Sequence, residues 1–214
     1  MKIETIVTGQ LDVNTYIVCD GEERECFIVD VGCASTILRY LEEKNLKCTH
    51  ILLTHAHFDH ISGVNELKEK TGAKVCIHEL DADGLFDNKI NLSSYAGSFV
   101  VPSEADIKLH DGEILNVCGK EIKVLHTPGH SRGGVCYLVE DEKVIFSGDT
   151  LFRLSVGRTD FPNCDENALF DSIENKLFTL QGNYRVLPGH MRETTLDDER
   201  NKNLFVKRRS VSLW

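Results

Sequence analysis

Proline is scarce in this chain, and the sequence also lacks a long apolar segment and a secretion signal. The 214 residues include 4 prolines, and no segment rich in proline, glycine or serine divides them. A linker between two domains is therefore not indicated, and we predict a single domain over residues 1–214. No run approaches the ~18 consecutive apolar residues of a membrane-spanning helix, and residues 1–10 hold no apolar core typical of a signal peptide. These absences favour a cytoplasmic protein with no membrane partner.

The cysteines do not form the pattern of a disulfide framework. There are 8 of them, scattered along the chain, and no two have the CxxC spacing. Several lie in apolar segments, such as Cys76 between Val75 and Ile77, where a reduced thiol behaves as a small apolar side chain. We therefore expect free, structural cysteines and a reducing compartment.

The chain also has fewer basic than acidic residues. The chain has 34 acidic and 24 basic residues, which gives a formal net charge of −10. A field of this sign repels phosphate backbones, so nucleic acid is not an expected partner. The composition, 41% hydrophobic and 27% charged, is that of an ordinary folded protein. No feature of the sequence indicates an oligomeric state.

The hydrophobic pattern predicts many short strands separated by amphipathic helices. Helices are expected from a cap at Ser35 to Asn45, over 62–70, and over about 165–178 with Asp165 as cap. Residues 79–106 have no clear period and are interpreted as a surface excursion. Because every sheet and helix must bury one face, we predict an α+β fold of two β-rich layers flanked by helices. The predicted strands cover residues 3–8, 13–19, 26–31, 49–54, 73–78, 107–109, 113–118, 121–126, 134–139 and 143–147.

A cluster of histidines follows one of these strands. The segment THAHFDH occupies residues 54–60, directly after the apolar run at 51–53. In extended backbone, alternate side chains share a face, so His55 and His57 can reach one metal ion. A turn at Phe58 can direct Asp59 and His60 towards a neighbouring position. The segment therefore predicts a loop that contributes to two metal sites.

Three later strands end in a similar way, with a histidine or aspartate next to glycine. Glycine permits the sharp turn and close approach that a metal site needs. His130 or His190 alone is equally well explained as a surface histidine, so both assignments depend on the first cluster. The donors are nitrogen and oxygen without thiolate, so zinc is the default metal, with iron or manganese as alternatives. The seven candidate ligands are His55, His57, Asp59, His60, His130, Asp149 and His190.

These residues, in this order, resemble the metallo-β-lactamase superfamily of metal-dependent hydrolases. The segments HTPGHS at 126–131, SGDTLF at 147–152 and GRTD at 157–160 are most similar to glyoxalase II, the hydroxyacylglutathione hydrolases, and their shorter relatives. The resemblance implies a four-layer αββα sandwich with the site at one edge. It also sorts the ligands: a first site of His55, His57 and His130, a second of Asp59, His60 and His190, and Asp149 as the carboxylate that bridges them.

The resemblance also implies a reaction. Two divalent metal ions would lower the pKa of a bridging water towards ~7 and provide a hydroxide that attacks a thioester carbonyl. Asp59 and Asp149 are the expected catalytic residues, Asp59 by orienting the hydroxide as well as binding metal. The expected partner is a small-molecule acyl thioester such as S-lactoylglutathione.

Other functions remain open beside this one. Glyoxalase II enzymes carry a C-terminal helical domain that binds glutathione; the shortness of this chain after His190 predicts that this domain is missing and leaves the thiol carrier open. A mononuclear iron persulfide dioxygenase typically lacks a complete second site, whereas His60 and His190 are both present. A catalytically silent metal-binding protein of the same fold usually loses ligands. The net charge disfavours a nuclease, and the lack of a secretion signal disfavours a true β-lactamase.

Three further residues near the motifs have less certain roles. His126 precedes His130 by four positions, but the intervening Pro128 excludes the helix that this ligand spacing requires, so a supporting role is favoured. Arg158 and Asp160 are expected to shape the site or to form an ion pair beneath it.

Overall fold

Two six-stranded sheets form the centre of the molecule in a computed structural model that describes residues 1–19 and 24–211. The first sheet has the order β1 to β6. Its first three strands are antiparallel neighbours and the last three continue parallel to β3. The strands are β1 (Lys2–Thr8), β2 (Val13–Cys19), β3 (Glu25–Val29), β4 (Lys47–Leu52), β5 (Lys74–His78) and β6 (Ile107–Leu109).

The second sheet comes from the second half of the chain. It is built from β7 (Ile114–Val117), β8 (Lys120–His126), β9 (Val135–Val139), β10 (Val144–Gly148), β13 (Arg185–Pro188) and β14 (Thr194–Thr195). Their order is β14-β13-β10-β9-β8-β7, and β10 with β13 is its parallel pair. A separate hairpin follows β10 and consists of β11 (Leu151–Phe152) and β12 (Ser155–Val156).

Helices cover the outer faces of both sheets. A 3-10 helix runs over Glu79–Leu85, and a π-helical segment over Ile173–Leu177 continues α5. Within residues 1–19 and 24–211, no helix combines the length and apolarity needed to cross a membrane. The α-helices are α1 (Ala34–Lys44), α2 (Phe58–Ile61), α3 (Val64–Thr71), α4 (Ser93–Ala96), α5 (Glu166–Ser172), α6 (Leu196–Lys202) and α7 (Leu204–Val211).

Three apolar clusters separate four layers. One lies between α1, α3 and the first sheet, where Ile37 and Leu67 pack against Ile51. The second fills the space between the sheets, with Phe27 of one sheet and Phe146 of the other in edge contact. The third packs α5 and α6 against the second sheet. The predicted αββα sandwich is confirmed. All eight cysteines lie within the described ranges and are free, as expected.

One of the two predicted helix caps was wrong. Helix α1 begins at Ala34 with Cys33 as its N-cap, so Ser35 lies inside the first turn rather than at the cap. Ala34 is buried against the first sheet, and this packing starts the helix earlier than the polar residue suggested. By contrast Asp165 caps α5 as predicted, since its carboxylate accepts the backbone N–H of Ala168 at 3.0 Å.

The segment 79–106 is a surface excursion only in part, because residues 81–85 and 91–93 are largely buried whereas 94–99 are mostly exposed. Asn91 is fully buried. Its side-chain amide donates to the backbone carbonyl of Gly84 at 2.8 Å, and its backbone carbonyl accepts the N–H of Phe58 at 2.8 Å. Polar residues here satisfy buried backbone groups instead of facing water, which is why their composition was misleading. The segment is therefore held against the loop that carries the histidine cluster.

Candidate metal centre

The ends of strands bring the seven predicted ligands together at one edge of the sandwich. His55 and His57 follow β4, and α2 contains Asp59 and His60. The other three lie in the loops directly after β8, β10 and β13. Their nitrogen and oxygen atoms form three overlapping groups, each within 4.8 Å: His55, His57 and His130; His55, His60 and Asp149; Asp59, His60 and His190.

The first group consists of three buried histidines. Nδ1 of His57 lies 2.9 Å from Nε2 of His130. The ring of His55 is 4.6 Å from that of His57 and 4.9 Å from that of His130, measured between centroids. Three imidazoles facing one point match the three protein ligands that a tetrahedral catalytic zinc site uses, with its fourth position open.

The second group combines one carboxylate with two histidines. Nε2 of His190 lies 3.2 Å from Oδ2 of Asp59 and 3.3 Å from Nε2 of His60. The carboxylate of Asp149 faces both groups. Its Oδ2 is 3.4 Å from Nε2 of His130, and its Oδ1 is 3.4 Å from Nε2 of His60. The carboxylate of Asp149 therefore lies between the two groups.

A buried carboxylate behind the site orients one histidine of each group. Asp30 Oδ2 accepts a hydrogen bond from Nδ1 of His60 at 2.8 Å, so that when this ring is neutral its lone pair is on Nε2, the atom on the inner side. The same oxygen accepts the hydroxyl of Thr54 at 2.8 Å, and that hydroxyl oxygen lies 3.0 Å from Nδ1 of His55. Because the hydroxyl proton is used on Asp30, the His55 ring donates to it. Such outer partners fix the tautomer that a metal ligand needs.

His130 is oriented by the backbone. Its Nδ1 donates to the carbonyl of Arg158 at 2.8 Å, so Nε2 carries the lone pair that faces the other ligands. Asp81, which is buried, joins the two loops of the first group by accepting the N–H of Ala56 at 3.2 Å and that of Gly133 at 2.6 Å. The two hydrogen bonds of Asp81 therefore fix the backbone of the loops and do not involve the atoms that face the metal centre.

The His190 loop is held by the first sheet. The amide of Asn14 donates to the carbonyls of Pro188 at 2.9 Å and Met191 at 2.8 Å, and the hydroxyl of Tyr16 donates to that of Pro188 at 2.6 Å. Both side chains are on β2, 172 to 177 residues away in sequence. The second group is therefore positioned by both sheets at once.

Two buried atoms test whether these residues suit metal ions. Nε2 of His55 and Oδ1 of Asp149 have no hydrogen-bond partner within the described part of the chain. A buried polar atom without a partner is costly, and a cation at the centre would satisfy both. The donor set of nitrogen and carboxylate oxygen suits zinc, iron or manganese. The residues thus fit a pair of divalent ions, while ligation itself stays a prediction.

The protonation states differ between the two groups. Burial lowers the pKa of His55 well below its usual value and that of His57 to about 3, so both are neutral at pH 7. Burial also acts on His60, but the carboxylates of Asp59, Asp149 and Asp30 raise its pKa well above the usual value. Burial opposes ionisation of Asp149, yet neighbouring His60 and the other histidines hold its pKa below the usual range. A metal ion entering the second group therefore has to displace the additional proton of His60, whereas His55 and His57 in the first group carry no additional proton.

The remaining predicted residues lie outside these groups. His126 donates Nε2–H to the carbonyl of Arg132 at 2.9 Å and stacks on His78 at 4.1 Å, which is the supporting role favoured by the sequence. Arg158 pairs with Asp160 through two contacts of 2.6 and 2.7 Å, and its guanidinium lies 3.9 Å from the ring centroid of Phe161.

Sequence reasoning missed Asp30, Thr54 and Asp81. Asp30 directly follows an apolar strand, as Asp149 does, and this shared position was the one signal that could have identified it. Its backbone φ of +55° is a further sign of a special role, since few residues other than glycine adopt such a value, but this is visible only in the structure.

A cavity of about 520 Å³ opens above the two groups. Asp59, Asp149, His57, His130 and His190 form its floor. Its volume is in the range of about 300–1,000 Å³ that small-molecule sites occupy. The geometry defines a two-centre cluster of metal-type ligands at the base of a small-molecule cavity.

The chain belongs to the metallo-beta-lactamase superfamily, whose family model matches residues 8–197. Among curated proteins it is 38% identical to a probable metallo-hydrolase, YqgX, of Bacillus subtilis (strain 168), over 96% of this chain and 98% of that protein. It is 33% identical to the hydroxyacylglutathione hydrolase GloC of Haemophilus influenzae, over 98% of this chain and 100% of that protein.

Two solved structures are similar over nearly the whole chain. The BLEG-1 B3 metallo-beta-lactamase superposes with a TM-score of 0.92 at 35% identity, covering 96% of this chain and 99% of that one. The di-iron-bound form of TTHA1623 superposes with a TM-score of 0.85 at 37% identity, covering 94% and 99%. Membership of a superfamily that includes metallo-hydrolases agrees with the ligand cluster.

Proposed function

We propose that the protein is a metal-dependent hydrolase that cleaves small-molecule acyl thioesters at a two-metal centre. The observation that carries this proposal is the convergence of two ligand groups at the cavity floor, with the carboxylate of Asp149 between them. The similarity to GloC, whose name gives hydroxyacylglutathione as its substrate, supports the thioester.

The expected ligands divide between the two ions. His55, His57 and His130 would hold one, Asp59, His60 and His190 the other, and Asp149 both. Two divalent ions held in this way supply a hydroxide at neutral pH and positive charge for the developing oxyanion of a thioester carbonyl. Zinc is the first choice from the donors, and the di-iron form of TTHA1623 makes iron the second metal to test.

The protein's own side chains prepare and enclose the reaction. Burial raises the pKa of Asp59, but the charge of His60 and a hydrogen bond from His190 together keep it below its usual value, so this carboxylate is an acceptor at neutral pH. It lines the cavity floor, where it can accept a hydrogen bond from the attacking water and turn a lone pair of that water towards the carbonyl. The buried ring of Phe152 excludes bulk solvent on one side.

The similarity to GloC supports a glutathione thioester as one candidate substrate, since the match covers all of that protein and 98% of this chain. The identity of the thiol carrier has to be determined by experiment.

Hydrolysis of β-lactams is the second candidate. BLEG-1, named as a B3 metallo-beta-lactamase, has 35% identity and a TM-score of 0.92. The sequence argument against this activity concerned secretion and not chemistry, and an amide in a strained ring would present its carbonyl to the same floor. A panel of substrates must therefore include β-lactams.

The test is metal analysis of the purified protein together with turnover of thioesters, β-lactams, lactones, phosphodiesters and glutathione persulfide. We expect two metal equivalents per chain and thioester hydrolysis as the fastest reaction. His190→Ala should lose one metal equivalent and this activity, whereas His110→Ala, on an exposed histidine paired with Glu79, should lose neither. One iron per chain with oxygen uptake on the persulfide, or β-lactam turnover above that of every thioester, would contradict the proposal.

A further inference from the structure

The wall of the cavity is apolar almost throughout. Above the metal-facing floor, aliphatic and aromatic side chains dominate the lining. Leu92 and Phe152 are buried in its deeper part, whereas Leu11, Tyr95 and Met191 are more than half exposed at its mouth. The apolar side chains of the wall include Leu92, Tyr95, Phe152, Val156, Phe161 and Met191.

This apolar wall begins directly beside the ligand groups. The ring of Phe152 is 6.2 Å from that of His190, and the ring of Phe161 is 6.2 Å from that of His57, measured between centroids. One aromatic side chain thus flanks each group. A carbonyl placed over the floor would have its substituent run along this wall.

Cationic groups are scarce in the cavity. Among the described side chains that line it, Arg158 is the single lysine or arginine. Its guanidinium already holds both oxygens of Asp160 and lies over the ring of Phe161. Glutathione has two carboxylates, and an ionised carboxylate removed from water needs a charged or hydrogen-bonding partner. The described wall provides little for such a carrier.

Two of the apolar side chains stand on backbone that disfavours them. Leu92 has a φ of +65° and Met191 of +68°, values that glycine or asparagine adopt at lower cost. The strain places an apolar side chain in the deeper wall at Leu92 and another at the rim at Met191. The cavity thus has apolar side chains at two positions where the backbone favours glycine or asparagine.

We propose, on the basis of the hydrolysis proposed above, that the substrates are thioesters of apolar acids, with the hydrocarbon acyl group against Leu92, Phe152 and Phe161. The carbonyl carbon lies at the floor, where the oxygen of a water molecule adds to it. The carbon–sulfur bond then breaks and its electron pair leaves on sulfur. One proton of the water neutralises the thiolate, which leaves through the exposed mouth, and the other is lost to solvent as the product acid ionises. The carrier contributes no ion pair to binding. Acyl length and not glutathione determines the specificity.

Acyl length is tested on one neutral carrier. The acetyl, butanoyl, hexanoyl and octanoyl thioesters of N-acetylcysteamine should show kcat/KM rising about fourfold per methylene until the cavity is filled. Butanoylglutathione should react no more than a few times faster than butanoyl-N-acetylcysteamine. An advantage of glutathione above about tenfold, the worth of one charge-assisted hydrogen bond, would overturn the proposal.

Binding of the straight-chain carboxylates from acetate to octanoate tests the ligand class without turnover. Their affinity for the metal-loaded protein, measured by calorimetry, should rise with chain length by a similar factor. If no thioester is hydrolysed but affinity rises with length, the proposed reaction fails and the assignment of an apolar ligand stands. If thioesters are hydrolysed but neither rate nor affinity depends on length, the reaction stands and the assignment of an apolar acyl group fails.

A substitution at Leu92 tests the wall itself. Leu92→Asn places a polar side chain of similar size on backbone that asparagine tolerates, so it should flatten the chain-length dependence in both measurements while metal content stays unchanged. Leu92→Met should retain the dependence. The matched control is Leu154→Asn, at a φ of +57° outside the cavity lining, which should behave as the parent protein. An unchanged dependence in Leu92→Asn would contradict the assignment of the wall.

Discussion

Replacing Asp30 by asparagine should weaken metal binding although Asp30 faces no metal-binding position. Its carboxylate accepts three buried hydrogen bonds of 2.8 Å, from the N–H and hydroxyl of Thr54 and from Nδ1 of His60. Asparagine has one acceptor oxygen and an amino group. If this amino group faces His60, two N–H donors oppose each other, unless the Nδ1 proton moves to Nε2, the atom that faces the metal centre. If the amide is rotated by 180°, the amino group instead opposes the backbone N–H of Thr54, which is also a donor.

The size of the effect depends on these contacts. Loss of an outer partner of a metal-bound histidine lowers metal affinity by roughly 10–100-fold, or about 1.4–2.7 kcal/mol. The group containing His60 should show this full effect, because Asp30 contacts that ring directly. The group containing His55 should lose less, because the contact passes through Thr54. The metal-free protein should be destabilised by about 1.5–3 kcal/mol, the value of one hydrogen bond to a buried charge.

Competition with a chromophoric chelator measures both stepwise affinities, and thermal unfolding of the metal-free protein measures the stability. Asp106→Asn is a suitable control, since Asp106 accepts the N–H of Val75 at 2.8 Å and pairs with Lys68 at 2.9 Å, outside the ligand groups. The control should bind both metal equivalents normally. If Asp30→Asn also binds both with unchanged affinity, the outer hydrogen bonds do not control the ligand tautomers and the reasoning is refuted.

Further predictions concern the ligands themselves. Asp149→Ala should lose at least one metal equivalent and abolish hydrolysis, because this carboxylate faces both groups; unchanged turnover would exclude the shared role. Asp59→Asn should lower kcat by roughly 100-fold with little change in thermal unfolding, as expected for a group that orients water. Gly189→Ala should lower metal occupancy, because its Cβ would lie 2.3 Å from Oδ1 of Asp149 and 2.6 Å from Cε1 of His60; full occupancy would show that the loop moves freely. On acidification two metal-release steps are expected, since His60, with its raised pKa, takes up a proton at higher pH than His57, whose pKa is about 3; a single release step in a pH titration would contradict the order.

The parts of the site that the sequence predicted are those that depend on local pattern. An apolar strand followed by histidine or aspartate beside glycine is visible without knowledge of the fold, and His130, Asp149 and His190 all have it. The layered fold was predictable for a similar reason, because each strand and helix displays its buried face in its own period.

What the sequence did not reveal depends on pairing between distant segments. Asp30 reaches Thr54 and His60 because β3 and β4 are parallel neighbours, a register that no local pattern encodes. Leu92 lies in an aperiodic segment whose buried polar residues were mistaken for surface. Its place in the cavity wall results from tertiary contacts such as the hydrogen bond between Phe58 and Asn91.

The contact between Asn14 and the loop after Pro188 has a consequence for the synthesis of the protein. Its two residues are 174 positions apart, so β2 cannot make this contact until a loop synthesised much later has formed. Contacts of such separation are slow to form and close late in folding. His55 and His57 likewise wait for His130, and Asp59 and His60 for His190. The nascent chain thus exposes an incomplete set of candidate ligands until the segment that contains His190 has been synthesised.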